Sequence, residues 1–245
     1  MSNFNFENFI KGKTVALVGP AKYMENKLLG DEIDNHDVVV RINRGIELVD
    51  KFSKNVGKKT NILYSCLIEK AAHAGRLDVE SWKQKYGVEF VCVPPQSDYR
   101  GYSPATTLHY MVDKKNVEKI MEAMPVRIID HVFNNFLAKK VNCKPNTGFL
   151  SIYDILRFHP KSLSIYGFSF YLDGFMEGCK SGIEVEKKVS EQQFAEMAYG
   201  SKRHIQKNMW QYAKKTLLFS DKIVLDETLK RILEMEDFSK NRFNT

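Results

Sequence analysis

No apolar run in this 245-residue chain approaches the ~20 residues that a membrane-spanning helix requires. Met1 to Lys13 mixes Asn, Phe, Glu and Lys and holds no apolar stretch of signal-peptide length, so the expected compartment is the cytoplasm. The four cysteines (Cys66, Cys92, Cys143 and Cys179) lie far apart, with no Cys-x-x-Cys and no Cys/His ladder. That spacing argues against zinc and against a disulfide framework. A G-x-G-x-x-G fingerprint and a P-loop are both missing. So are internal repeats and low-complexity linkers, which makes residues 1–245 a single expected domain.

What is present is ordinary in bulk and uneven in detail. Hydrophobic residues make up 43% and charged residues 27% of the chain, as in a globular protein with a sizeable core. A net charge of +7 favours anionic partners: a phosphate-bearing small molecule, an acidic membrane face or nucleic acid. The basic residues, however, fall in scattered pairs such as Lys58-Lys59, Lys139-Lys140 and Lys214-Lys215. Such pairs suit solvated helix faces, and without a basic-aromatic stripe no nucleic-acid partner is expected.

Short apolar runs alternate with helical patterns, the signature of a mostly parallel sheet covered by helices. Strands are predicted at Thr14–Val18, Val38–Ile42, Asn61–Cys66, Glu89–Val93, Arg127–Asp130, Leu163–Tyr166 and Lys222–Leu225. Helices are predicted at Asp78–Tyr86, Lys114–Met124 with Asp113 as cap, Val132–Lys139, Thr147–Arg157, Glu191–Leu218 and Glu227–Glu236. Arg41 and Asn43 alternate with Val40 and Ile42, which predicts a shared face at the carboxyl end of a strand, where open α/β sheets take their ligands. Pro94-Pro95 closes a strand and begins a loop to about Pro104, whose Tyr99, Arg100 and Tyr102 are either ligand contacts or surface residues.

Two turns carry the local chemistry. Gly19-Pro20-Ala21-Lys22 follows an apolar strand, and its small residues let backbone N–H groups approach a phosphate or ribose. Pro145-Asn146-Thr147-Gly148 opens a helix that Asn146 or Thr147 can cap, turning its first N–H groups toward an anion. Each is equally an ordinary strand-to-helix turn. Among six histidines, His36 beside Asp37 reads as structural, His131 follows a strand as one possible base, and His73, His109 and His159 have no supporting context.

Val15-Ala16-Leu17-Val18-Gly19 together with Glu32 to Arg44 resembles the L motif of the sialyltransferase family, whose usual form ends ID-x-HD-x-V-x-R-x-N. Val56-Gly57-Lys58-Lys59-Thr60-Asn61 is similar to its VG-x-KT continuation. The Pro145-to-Gly148 turn, its helix and Tyr166-Gly167-Phe168 resemble the S motif. His204 falls at the histidine of the VS motif. The matches span Thr14 to His204. The chain departs from the family in several places. Pro20-Ala21 replaces the usual Asn-Ser, Val15 replaces the L-motif cysteine, and Met209 stands where an acidic residue is usual. No motif III histidine is recognisable. With Val15 in that position, the disulfide linking L and S in Golgi members does not form, which fits a reducing compartment and a bacterial or viral member.

The resemblance implies a single Rossmann-like α/β/α domain, a variant of the GT-A glycosyltransferase fold, with about seven strands. It implies an inverting transfer of sialic acid, or a related keto-acid sugar such as Kdo, from a CMP-sugar donor to a hydroxyl of a glycan or glycolipid. A monophosphate leaving group needs no divalent metal, and the chain has no clear Asp-x-Asp pair, so neither metal nor cofactor is expected. Histidine, with an ordinary pKa of about 6.5, suits removal of the acceptor proton. The resemblance points to His204 as that base, with Lys202 and Arg203 holding its ring neutral, and His131 as the alternative. For the nucleotide it points to Gly19, Pro20, Ala21, Asn43, Asn146, Thr147, Gly148, Gly167 and Phe168. Arg41 is expected to brace the motif against Asp34 or Asp37, and basic residues to touch an anionic membrane face peripherally. The rival reading is a nucleotide-binding module of the same fold that has lost turnover.

Overall fold

The computed structural model describes residues 6–67, 77–95, 114–179 and 204–238. The sequence readings at Asp113, at Tyr99, Arg100 and Tyr102, at His73 and His109, and at Lys202 and Arg203 lie outside them, as does the segment 191–203 of the last long predicted helix.

All seven predicted strands form: β1 (Thr14–Val18), β2 (Val38–Ile42), β3 (Ile62–Tyr64), β4 (Phe90–Val93), β5 (Val126–Ile128), β6 (Ser162–Tyr166) and β7 (Ile223–Leu225). They pair in parallel in the order β5-β4-β3-β2-β1-β6-β7. Apolar alternation fixes the register. Val15 and Leu17 of β1 and Val38, Val40 and Ile42 of β2 face one core, while Ala16, Val18 and Val39 face another.

On the first face lie α1 (Phe6–Ile10), α6 (His131–Val141), α7 (Thr147–Leu156), α8 (Gln206–Leu217) and α9 (Glu227–Glu234). On the other lie α2 (Gly30–Asp34), α3 (Val49–Val56), α4 (Val79–Gln84) and α5 (Lys114–Met121), of which α2 and α3 join the core under β1 and β2, and α4 and α5 the core under β3 and β4. The result is a three-layer α/β/α domain. The short α1, α2 and α3 were not predicted; α3 holds a kink at Phe52 (φ −120°, ψ 30°).

The chain runs outward from β1 to β5 along one side, then crosses back to place β6 against β1. The switch point therefore lies at the carboxyl ends of β1 and β6, the place where a doubly wound sheet leaves a crevice. Two glycines make that junction. A Cβ on Gly19 would fall on the Gly167 carbonyl oxygen, and one on Gly167 (φ +71°) would fall on the Gly19 carbonyl oxygen. Gly19 is thus a packing residue, buried beneath the crevice rather than lining it.

The L-motif polar residues brace the sheet. Asp34 accepts from the Lys58 and Lys59 N–H groups, and Asp37 accepts from the Thr14 N–H and hydroxyl at 2.8 Å each. The His36 Nδ1–H points to the Glu32 and Ile33 carbonyls while Nε2 accepts from the Ser164 hydroxyl at 2.8 Å. Arg41, 0% exposed, corrects two expectations. It donates to the Thr60 hydroxyl and to the Val56, Gly57 and Lys59 carbonyls, with no carboxylate in direct contact among the described residues. Nor does it join Asn43 at the cavity: Asn43 leaves the strand with φ +48° and lines the cavity, and Arg41 does not. Burial pulls the Arg41 guanidinium down to about 10, partly offset by the charge of Asp34.

Candidate active site

A cavity of about 280 Å³ opens at the carboxyl ends of β1, β2, β3, β4 and β6. Pro20 and Ala21 after β1, Asn43 after β2, and Gly167 and Phe168 after β6 supply one part of its wall. Asn146, Thr147 and Gly148 at the start of α7 supply another, and His204 closes it ahead of α8. The predicted nucleotide residues thus come together, Gly19 excepted. His131 does not join them: it is 55% exposed on the first turn of α6, with Nδ1 3.9 Å from Asp130 Oδ1. Lys22 is exposed as well.

The start of α7 turns free backbone donors toward the cavity. The Asn146 side chain caps it by accepting from the Phe149 N–H at 2.8 Å. This leaves the Thr147 and Gly148 N–H groups at the positive end of the helix without a partner among the described residues. Gly148 is small because a Cβ there would lie 2.8 Å from the Phe168 ring. The Asn43 Oδ1 accepts from the Cys66 N–H at 3.0 Å, which orients its amide nitrogen away from that bond and along the cavity wall.

The opposite wall is the turn from Gly167 to Phe175. Phe170 (φ +52°) and Tyr171 (φ +66°) stand in the left-handed region, which is strained for aromatic residues. Hydrogen bonds over-determine the turn. The Ala21 N–H donates to the Gly167 carbonyl at 3.0 Å, and the Met176 N–H to the Pro20 carbonyl at 2.9 Å. The Tyr23 hydroxyl donates to Asp226 Oδ2 at 2.6 Å and accepts from the Phe168 N–H at 3.1 Å; the Tyr23 N–H donates to Asp173 Oδ2 at 2.7 Å. The Gly167 N–H also donates to Asp226 Oδ2. Burial raises the carboxyl groups of Asp173 and Asp226. Inside the cavity the Tyr171 hydroxyl, which takes a long 3.4 Å bond from Asn146, is pushed up to about 12 by burial.

His204 is oriented through its backbone-facing nitrogen. Its Nδ1 lies 2.7 Å from the Lys144 carbonyl oxygen, which can only accept, so the proton belongs on Nδ1 and Nε2 carries the lone pair of the neutral ring. Lys144 also lines the cavity, with Asn134 of α6 and Gln206 of α8. Sequence reading missed these three. Lys144 sits directly before the Pro145 turn and was the most findable of them.

The parallel sheet and its switch-point cavity define a doubly wound α/β protein, the class whose ligands bind across the ends of the central strands. The model of glycosyltransferase family 29 (sialyltransferase) matches residues 8–173, and the chain belongs to that family of sugar-transferring enzymes. No curated protein sequence matches. Among solved structures, a mammalian sialyltransferase in complex with Gal-β-1,3-GalNAc-ortho-nitrophenol shares 16% identity over 89% of this chain and 71% of its own, at a TM-score of 0.51. The monofunctional α-2,3-sialyltransferase Cst-I from Campylobacter jejuni shares 10% identity over 95% of this chain and 83% of its own, at 0.55. At these identities the likeness is one of fold. No helix among the described residues is long and apolar enough to cross a membrane, and no group of three or more His, Cys, Asp or Glu among them is arranged to hold a metal ion.

Proposed function

We propose that this protein transfers a sialic acid, or a related keto-acid sugar, from its CMP derivative to a glycan hydroxyl with inversion and without a metal. The carrying observation is the His204 ring, tautomer-fixed by the Lys144 carbonyl, in one cavity with a capped and unpartnered helix N-terminus. In this reading the Thr147 and Gly148 N–H groups and Lys144 receive the monophosphate and its leaving-group charge. Asn43, Pro20, Ala21, Gly167 and Phe168 hold the ribose and base. Nε2 of His204 takes the proton of the acceptor hydroxyl as its oxygen attacks the anomeric carbon and CMP departs. His131, exposed and off the cavity, has no part in that step. The acceptor is a glycan or glycolipid. Exposed Val132 and Phe136 on α6, followed by exposed Lys139 and Lys140, support peripheral contact with an anionic membrane face.

The test is transfer from CMP-sialic acid to a galactoside, comparing wild type with His204→Gln. Loss of the base is expected to lower kcat about 100-fold or more while CMP still binds. Transfer at the wild-type rate would remove His204 from the mechanism. Binding of CMP with no transfer by either protein would favour the binding-module reading.

A further inference from the structure

We propose that Asn134 forms, with Gln206, a neutral polar subsite that hydrogen-bonds the hydroxyls of the acceptor sugar; the assignment of an acceptor rests on the transferase reading above. Asn134 is 3% exposed and lines the cavity, yet its side-chain amide has no hydrogen-bond partner among the described residues. Gln206, 1% exposed, donates from Nε2 to the His204 carbonyl at 3.2 Å, which fixes the amide's orientation and leaves Oε1 buried without a partner. Buried amides in folded proteins are almost always bonded, because an unpaired one loses its hydration and gains nothing in return. The buried Gln206 Oε1 and the Asn134 amide, lining one cavity, mark a place where missing partners arrive with a ligand.

The chemistry selects the ligand. Neither group is charged, so the pair suits hydroxyls rather than a phosphate or carboxylate. Pro94, Pro95 and Cys66, which line the same cavity at the ends of β4 and β3, offer an apolar surface for a sugar ring. The nucleotide residues lie toward β1 and β6 and the start of α7, on the other side of Asn43 in strand order. Through Gln206, the subsite is tied to the backbone of the residue proposed as base.

The test compares wild type, Asn134→Leu and Asn134→Asp by titration with CMP and by saturation-transfer NMR with galactose, lactose and Gal-β-1,3-GalNAc in the presence of CMP. At least one sugar is expected to bind wild type and to bind Asn134→Leu about tenfold more weakly, the effect of one hydrogen bond. CMP affinity should stay within twofold. Because the amide is unpaired without ligand, Asn134→Leu should melt no lower than wild type, the signature of a residue kept for binding rather than stability. A lower melting temperature, a loss of CMP affinity with sugar binding intact, or no binding of any of the sugars by wild type would each overturn the proposal. Failure of wild type to bind CMP would instead strike the transferase reading.

Discussion

At the scale of single residues, the family's most distinctive letters do structural work. Asp34, His36, Asp37 and Arg41 stitch α2, the turn after α3 and the start of β1 to one another, and of the run's polar residues Asn43 reaches the cavity. Arg41→Leu is expected to destabilise by about 3 kcal/mol, since it strands three carbonyls and the Thr60 hydroxyl in the core; urea unfolding measures it. Gly167→Ala is expected to cost more than about 1 kcal/mol, because the new Cβ meets the Gly19 carbonyl and φ is +71°. The cavity residues that were legible stand at strand ends and turns, where the family resemblance, rather than the turn chemistry alone, singled them out. Asn134 and Gln206 were not legible. Asn134 sits in the first turn of α6 beside Asn135 with nothing in sequence to separate them, and only the packing of α6 over the strand ends makes one of them a wall of the cavity.

Element by element, the strands were readable because β-branched runs bounded by turns leave little choice in a doubly covered sheet. The short helices were not: α1 and α2 are five residues each, too brief for a 3.6-residue period to show. Tyr23, also unremarked in sequence, closes the turn after β6 from a position far away in the chain. Tyr23→Phe removes the donor to Asp226 and the acceptor of the Phe168 N–H, and is expected to cost about 1–3 kcal/mol with a lower melting temperature. The strained Phe170–Tyr171 pair relies on that closure, so CMP affinity should fall in the same variant.

Over the whole molecule, buried carboxyls and surface carboxylates pull the pH dependence of stability in opposite senses. Asp173 and Asp226 have raised values, so their contribution is complete below the unfolded value of 3.8 and is lost as pH rises through their folded values. Asp37 is lowered by its Thr14 bonds, so its contribution is present above 3.8 and lost as pH falls through its folded value. Asp173→Asn is therefore expected to flatten the decline in melting temperature above pH 4, and Asp37→Asn the decline below it. The parallel sheet in turn puts every carboxyl strand end on one edge, which is why residues from β1 to the start of α8 converge there.

The most direct test of the transferase reading is a thermal-shift comparison of CMP, CDP, UDP, GDP and NAD at matched concentration. At ~100 times its dissociation constant CMP should add about 2.7 kcal/mol, a rise of roughly 5–10 °C for a domain of this size. Selective stabilisation by CMP is the expected result. No response to CMP, or a larger one to UDP or NAD, would contradict the assignment of a CMP-sugar donor to this cavity.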